Sequence, residues 1–175
     1  MAKPLKYPLL LIALHWIVAM AVLVQLGLGL RISAAGPAPD RATLGWHAAF
    51  GLAILVMVAI RLLVRFSRPM PPLGGGLKGW IARAEYTGLY ILMVLTPLAG
   101  IAAWSEATRG APLMLFGVVN VAFTDLPVAA LHPLLGLILG ALVLAHIFAV
   151  MCRFLLDGPA AVRRMLPGRD EGPSN

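Results

Sequence analysis

Four histidines, His15, His47, His132 and His146, are the residues of this 175-residue chain best equipped for chemistry, and each lies inside a strongly apolar run. Placing an ionisable ring in such a run is costly, so each marks a candidate site. The plainer reading, a polar residue that bonds one helix to another, suits a single isolated histidine. It suits four of four, lying at two depths, poorly. His132 and His146 are 14 residues apart. At ~100° per residue that is almost four full turns, so on one helix both rings point to nearly the same side, ~21 Å apart along the axis.

The segments that must position these rings are long and apolar. They run over residues 9–30, 44–63, 81–103 and 128–156. Each is long enough, at ~1.5 Å per residue, to cross a ~30 Å hydrocarbon layer. Within such a layer only helices or closed barrels satisfy their own backbone groups, and four runs of this length predict helices. Composition agrees: 61% of residues are hydrophobic and 12% charged, against ~25% charged in a soluble domain. The expected fold is all-α, an integral membrane four-helix up-down bundle. Residues 1–157 form the bundle and the polar residues 158–175 a tail. Gly36-Pro37-Ala38-Pro39-Asp40, Arg68-Pro69-Met70-Pro71-Pro72 and Gly74-Gly75-Gly76 break the early connections. The longer stretch from Ser105 to Pro127 is expected to lie along the membrane surface.

The net charge of +7 would suggest nucleic acid in a soluble protein. Here the cations sit between apolar spans and report topology instead. Lys3, Lys6, Arg65, Arg68, Lys78, Arg83, Arg153, Arg163, Arg164 and Arg169 fall on one side, against Arg31, Arg41 and Arg109 on the other. The cation-rich side is cytoplasmic, which puts both termini inside. Lys3 and Lys6 before an apolar run also resemble a leader peptide. That run, however, exceeds the ~7–15 residues of a leader's apolar region and contains His15, so cleavage is not expected.

Depth then sorts the histidines. His15, early in an outward helix, and His146, late in an inward one, lie toward the inside. His47 and His132, near the starts of inward helices, lie toward the outside. Two pairs ~20 Å apart do not make the four-ligand site of a structural zinc. They suit two haems with two axial imidazoles each. The one cysteine, Cys152, and the absence of C-x-x-C-H exclude covalent attachment, so the haems are expected to be non-covalent, b-type groups. Two imidazoles on each iron leave no open position for oxygen, and the chemistry expected is electron transfer.

The ordered set of residues resembles the bacterial cytochrome b561 family over nearly the whole chain. It comprises His15-Trp16, His47, Arg61-Leu62-Leu63-Val64-Arg65, Tyr90 through Pro97 with Gly100, Arg109-Gly110-Ala111-Pro112, Phe116-Gly117, and the pair His132 and His146. The resemblance implies a di-haem electron carrier of the inner membrane that works with quinone, with ubiquinone the expected partner. In one branch of the family superoxide is oxidised at the outer face. Relatives often carry another histidine where this chain has Tyr86, which leaves quinone or proton handling at that position open. Pro133 directly after His132 is a second departure. A proline is tolerated in a first helical turn, so the fourth helix is expected to begin just before His132.

Supporting residues have two readings each. Arg61 either pairs with a haem propionate or is a snorkelling arginine of the positive side. Arg65 is read as topological. Arg31, Arg41 and Arg109 are read first as loop charges, otherwise as propionate partners or a lure for superoxide. Asp40, Glu106 and Asp125 on the same side leave little net charge for steering. Glu85 is read as an interfacial residue, with proton supply to a reduced quinone as the alternative. Trp16, Trp46, Trp80 and Trp104 are read as belt residues, and Gly136 with Gly140 as room for a porphyrin. Three functions remain open: superoxide-to-quinone oxidoreductase, membrane anchor linking a separate redox subunit to the quinone pool, and haem-free transporter or packing protein.

Overall fold

A computed structural model describes residues 9–36, 40–67, 75–108, 113–115, 119–121 and 128–158. Four helices form: α1 (Leu9–Ala34), α2 (Arg41–Phe66), α3 (Gly76–Ala107) and α4 (Leu131–Asp157). All four are long and apolar enough to cross a membrane. Between α3 and α4 a short antiparallel ribbon pairs β1 (Leu113–Leu115) with β2 (Val119–Val121), Met114 lying opposite Asn120. Part of the stretch expected to run along the membrane surface is therefore helix, to Ala107, and part is this ribbon. Lys3, Lys6, Arg68, Arg109, Asp125, Arg163, Arg164, Arg169 and the motifs Arg109-Gly110-Ala111-Pro112 and Phe116-Gly117 lie outside the described residues.

The helix ends follow local chemistry rather than the limits of the apolar runs. α2 starts at Arg41 because Asp40 caps it, accepting from the Thr43 backbone N–H at 2.8 Å and from the Thr43 hydroxyl. Those two bonds hold the exposed Asp40 carboxyl below its ordinary value of 3.8, the hydroxyl contributing most. α4 starts at Leu131, three residues after the apolar pattern begins. Residues 128–130 form a turn in which the Leu131 and His132 N–H groups return to the carbonyls of Val128 and Ala129. Pro133 then falls in the first turn, where an N–H has no helical partner to lose. α3 carries Pro97 in its interior, which removes the N–H that would have met the Met93 carbonyl.

Side-chain contacts give the helix directions. Gln25 late in α1 bonds to His47 early in α2. Arg61 late in α2 bonds to Tyr90 in α3. Glu85 early in α3 meets His146 late in α4, while Thr96 further along α3 meets His132 at the start of α4. The bundle is therefore up-down-up-down. Its buried centre is Val18, Val22, Ile54 and the fully enclosed Val58, with Leu52 and Ile101 forming a second cluster. α1 packs on α2 and α3 on α4; α2 and α3 join the two hairpins, and α1 barely touches α4. α4 stands furthest from the core, 6% of its most apolar window being buried against 28% for α1.

Candidate functional site

The histidines meet in two tiers, each across helices that otherwise hardly touch. The lower tier lies where α1 begins and α4 finishes. There the His15 and His146 rings are 6.4 Å apart between centroids, at 71°. The upper tier lies where α2 and α4 begin. There the His47 and His132 rings are 5.8 Å apart at 81°, with their Nε2 atoms facing at 3.5 Å. α4 is an unbroken helix between His132 and His146, so the tiers are separated by ~21 Å along its axis.

The upper tier is cut into the backbone of its neighbours. His132 Nδ1 donates to the Thr96 carbonyl at 2.9 Å, which leaves its Nε2 lone pair directed at His47. This ring rests on Gly100. A Cβ there would lie 2.9 Å from His132 Cε1 and 3.1 Å from Nδ1, inside contact distance. His47 rests in the same way on Gly29, where a Cβ would come within 3.3 Å of Cε1. Gln25 Nε2 donates to the His47 carbonyl at 2.8 Å and sits over Gly51, locking α1 to α2 beside the ring. Among the described residues three buried polar atoms here, Gln25 Oε1, His47 Nδ1 and Thr96 Oγ1, have no hydrogen-bond partner, which is unusual inside a fold.

The lower tier is held by charge. His146 Nδ1 donates to Glu85 Oε1 at 2.6 Å, with the two side chains 21% and 10% exposed. Glu85, expected at the interface, thus directs its carboxylate to a histidine of this tier. It lies early in α3, and its side chain turns inward to the imidazole. Tyr86 sets its ring 6.0 Å from that of His146, and Trp16 lies edge-on to His15 at 5.5 Å. Arg61 Nε donates to the Tyr90 hydroxyl at 2.9 Å while Arg65 lies 5.8 Å from the Tyr90 ring centre. The Arg61 charge is close enough to act on His15. Beside this tier, α2 and α3 frame an open, largely apolar groove of about 630 Å³, lined among others by Leu62, Arg65, Phe66, Arg83, Tyr86 and Tyr90.

Among the described residues no three His, Cys, Asp or Glu side chains converge. A four-ligand zinc site is therefore not available there. Two imidazoles per tier match a group that takes two axial ligands, and the fixed Nδ1 protons on His132 and His146 present Nε2 as the ligating atom. A facing separation of 3.5 Å is also near twice a metal–imidazole bond of ~2 Å. The residues of the upper tier fit a b-type haem, and the lower tier brings together the same pair of imidazoles. Gly136, one turn beyond His132, opens onto space with nothing within 4 Å of a Cβ, whereas Gly140 meets Leu26 of α1 at 3.7 Å. The pair therefore divides: one glycine leaves room and the other lets helices approach.

Sequence reasoning missed Gln25, the Thr96 carbonyl and the inward turn of Glu85. Gln25 was detectable as the single glutamine of the chain, placed in an apolar run. A backbone carbonyl carries no such signal.

The family model described as prokaryotic cytochrome b561 matches residues 6–168. A curated protein of Yersinia pestis, "Probable superoxide oxidase CybB", is 31% identical over 121 residues. That alignment covers 65% of this chain and 65% of the relative, slightly less than two thirds of the relative's length.

Proposed function

The chain belongs to the prokaryotic cytochrome b561 family, as a multi-pass bacterial membrane protein of b-type electron transfer, and on that premise we propose that it carries two haems and exchanges electrons with membrane quinone. The observation that carries this reading is the two-tier meeting of imidazoles along α4. His15 and His146 would hold one haem and His47 and His132 the other. Each haem would supply a one-electron ferric–ferrous couple.

The chain's own part is to hold and to exclude. The Thr96 carbonyl and the Glu85 carboxylate fix the Nδ1 protons of His132 and His146, which sets the tautomer and ring orientation of each ligand. Gly29 and Gly100 let the upper rings sit against backbone. The apolar walls of the bundle keep water from both tiers. Arg61, beside the lower tier, is our candidate for a propionate partner, since its guanidinium can bind a carboxylate through two N–H groups. Lys and Arg bias makes the lower tier cytoplasmic, with both termini inside. The α2–α3 groove suits a quinone head: its volume is that of a small-ligand site. Arg65, Arg83 and the tyrosine hydroxyls offer donors to quinone carbonyls, and Tyr86 joins the groove to His146.

The name of the Yersinia relative supports superoxide as the donor at the opposite face, near Arg31 and Arg41. The test is a reduced-minus-oxidised visible spectrum of purified protein with haem counted per chain. Two b-type haems, reduced on addition of superoxide and reoxidised by ubiquinone, are expected. A colourless protein, or one haem per chain, overturns the reading. Reduction only in the presence of a co-purifying soluble redox subunit would make the chain a membrane anchor instead.

A further inference from the structure

The two tiers differ in what their α4 histidine leans on. Both rings donate from Nδ1, 14 residues apart on one helix. His132 donates to a neutral backbone carbonyl at 2.9 Å. His146 donates to a carboxylate at 2.6 Å. A charged acceptor makes a shorter and stronger bond than a neutral one. It also draws the Nδ1 proton away from the ring and makes Nε2 a more basic ligand, which tunes a bound metal. Of the seven acidic residues in the chain, Glu85 is the one that falls among the first residues of an apolar run and turns into the bundle, and its burial weakens screening of its charge.

We propose that Glu85 is a positioning residue whose negative charge, acting through the His146 ring, holds the lower-tier haem at a lower reduction potential than the same site would have with a neutral acceptor. The proposal rests on the two-haem reading. A more basic imidazole favours the ferric iron, which carries one more positive charge than the ferrous. The couple takes one electron, and the Nδ1 proton stays between His146 and Glu85, so no bond is made or broken. Arg61 carries the opposing charge at this level, but its Nε is engaged by the Tyr90 hydroxyl rather than by the ligand pair. Among the described residues no carboxylate stands in the corresponding place in the upper tier, where His132 Nδ1 meets the Thr96 carbonyl. The two couples are thereby set independently by residues eleven positions apart on α3.

The experiment is a spectroelectrochemical titration, at one pH, of the purified holoprotein and five variants. Glu85→Gln and Glu85→Asn remove the charge and keep an acceptor oxygen. Glu85→Asp keeps the charge, and Glu85→Ala removes both. His15→Ala identifies which couple belongs to the lower tier. Between wild type and Glu85→Gln, the ferrous-to-ferric ratio of that couple at a fixed potential is expected to rise about tenfold, which is ~59 mV for one electron. Glu85→Asn is expected to titrate above Glu85→Asp in the same sense, and the upper-tier couple to stay in place throughout. If both haems are retained and the lower couple does not move in either charge pair, the proposal is overturned. Loss of the lower haem in every variant would make Glu85 a structural support only, and would overturn it equally. Absence of b-type bands in the wild type would instead remove the two-haem reading, before any variant is compared.

Discussion

A ring lying on a glycine is sensitive to one methyl group. The Gly100 Cβ would sit 2.9 Å from His132, and the Gly29 Cβ 3.3 Å from His47, so the first ring must move and the second need only give slightly. Gly100→Ala is expected to lower haem content from two per chain toward one, with the lower-tier spectrum unchanged, and Gly29→Ala to cost less occupancy. A pyridine haemochrome assay on both variants distinguishes them. Asp40 makes a prediction in pH. Its folded pKa lies below its ordinary value of 3.8 because Thr43 donates to it twice. The stabilisation is therefore fully present above that ordinary value and is lost as pH falls through the folded one. Thermal midpoints of wild type and Asp40→Ala in detergent should differ by a constant amount near neutrality and converge in strong acid.

The elements were more legible than their edges. Apolar runs of about one bilayer thickness identified all four helices, since nothing else satisfies backbone groups in hydrocarbon. The ends depended on single groups that hydropathy does not weigh: the Asp40 cap, the turn at 128–130 and Pro133. Depth was also enough to anticipate which rings the helices bring near one another. It could not anticipate Glu85, because its position near the end of an apolar run suits an interfacial residue, and only the packing of α3 on α4 turns its side chain to His146. Between helices in lipid, packing carries the cohesion that water expulsion supplies elsewhere. Val58, wholly enclosed between α1, α2 and α3, should therefore matter: Val58→Ala is expected to cost about 1–2 kcal/mol of bundle stability by cavity formation, measurable by chemical denaturation in micelles.

For the whole molecule, the two-haem reading has the histidines act as pairs rather than as four separate residues. His15→Ala and His146→Ala should each remove the same haem, and His47→Ala and His132→Ala the other. Redox difference spectra should therefore fall into two classes among the four variants. A variant in which both haems survive would break the pairing. The seam between α1 and α4, with little protein contact across it, should also loosen first when the lower-tier haem is absent. Accelerated proteolysis of haem-depleted protein relative to the loaded form would report that.

α4 contributes one imidazole to each tier and is the last of the four helices in the chain. On the two-haem reading, a nascent polypeptide with only its first three segments in the lipid would offer a single ring to either iron, and neither centre would close until the final segment left the translocon. Maturation is thereby tied to completed insertion, and a chain cut short before residue 131 would remain empty however much porphyrin the cell supplied.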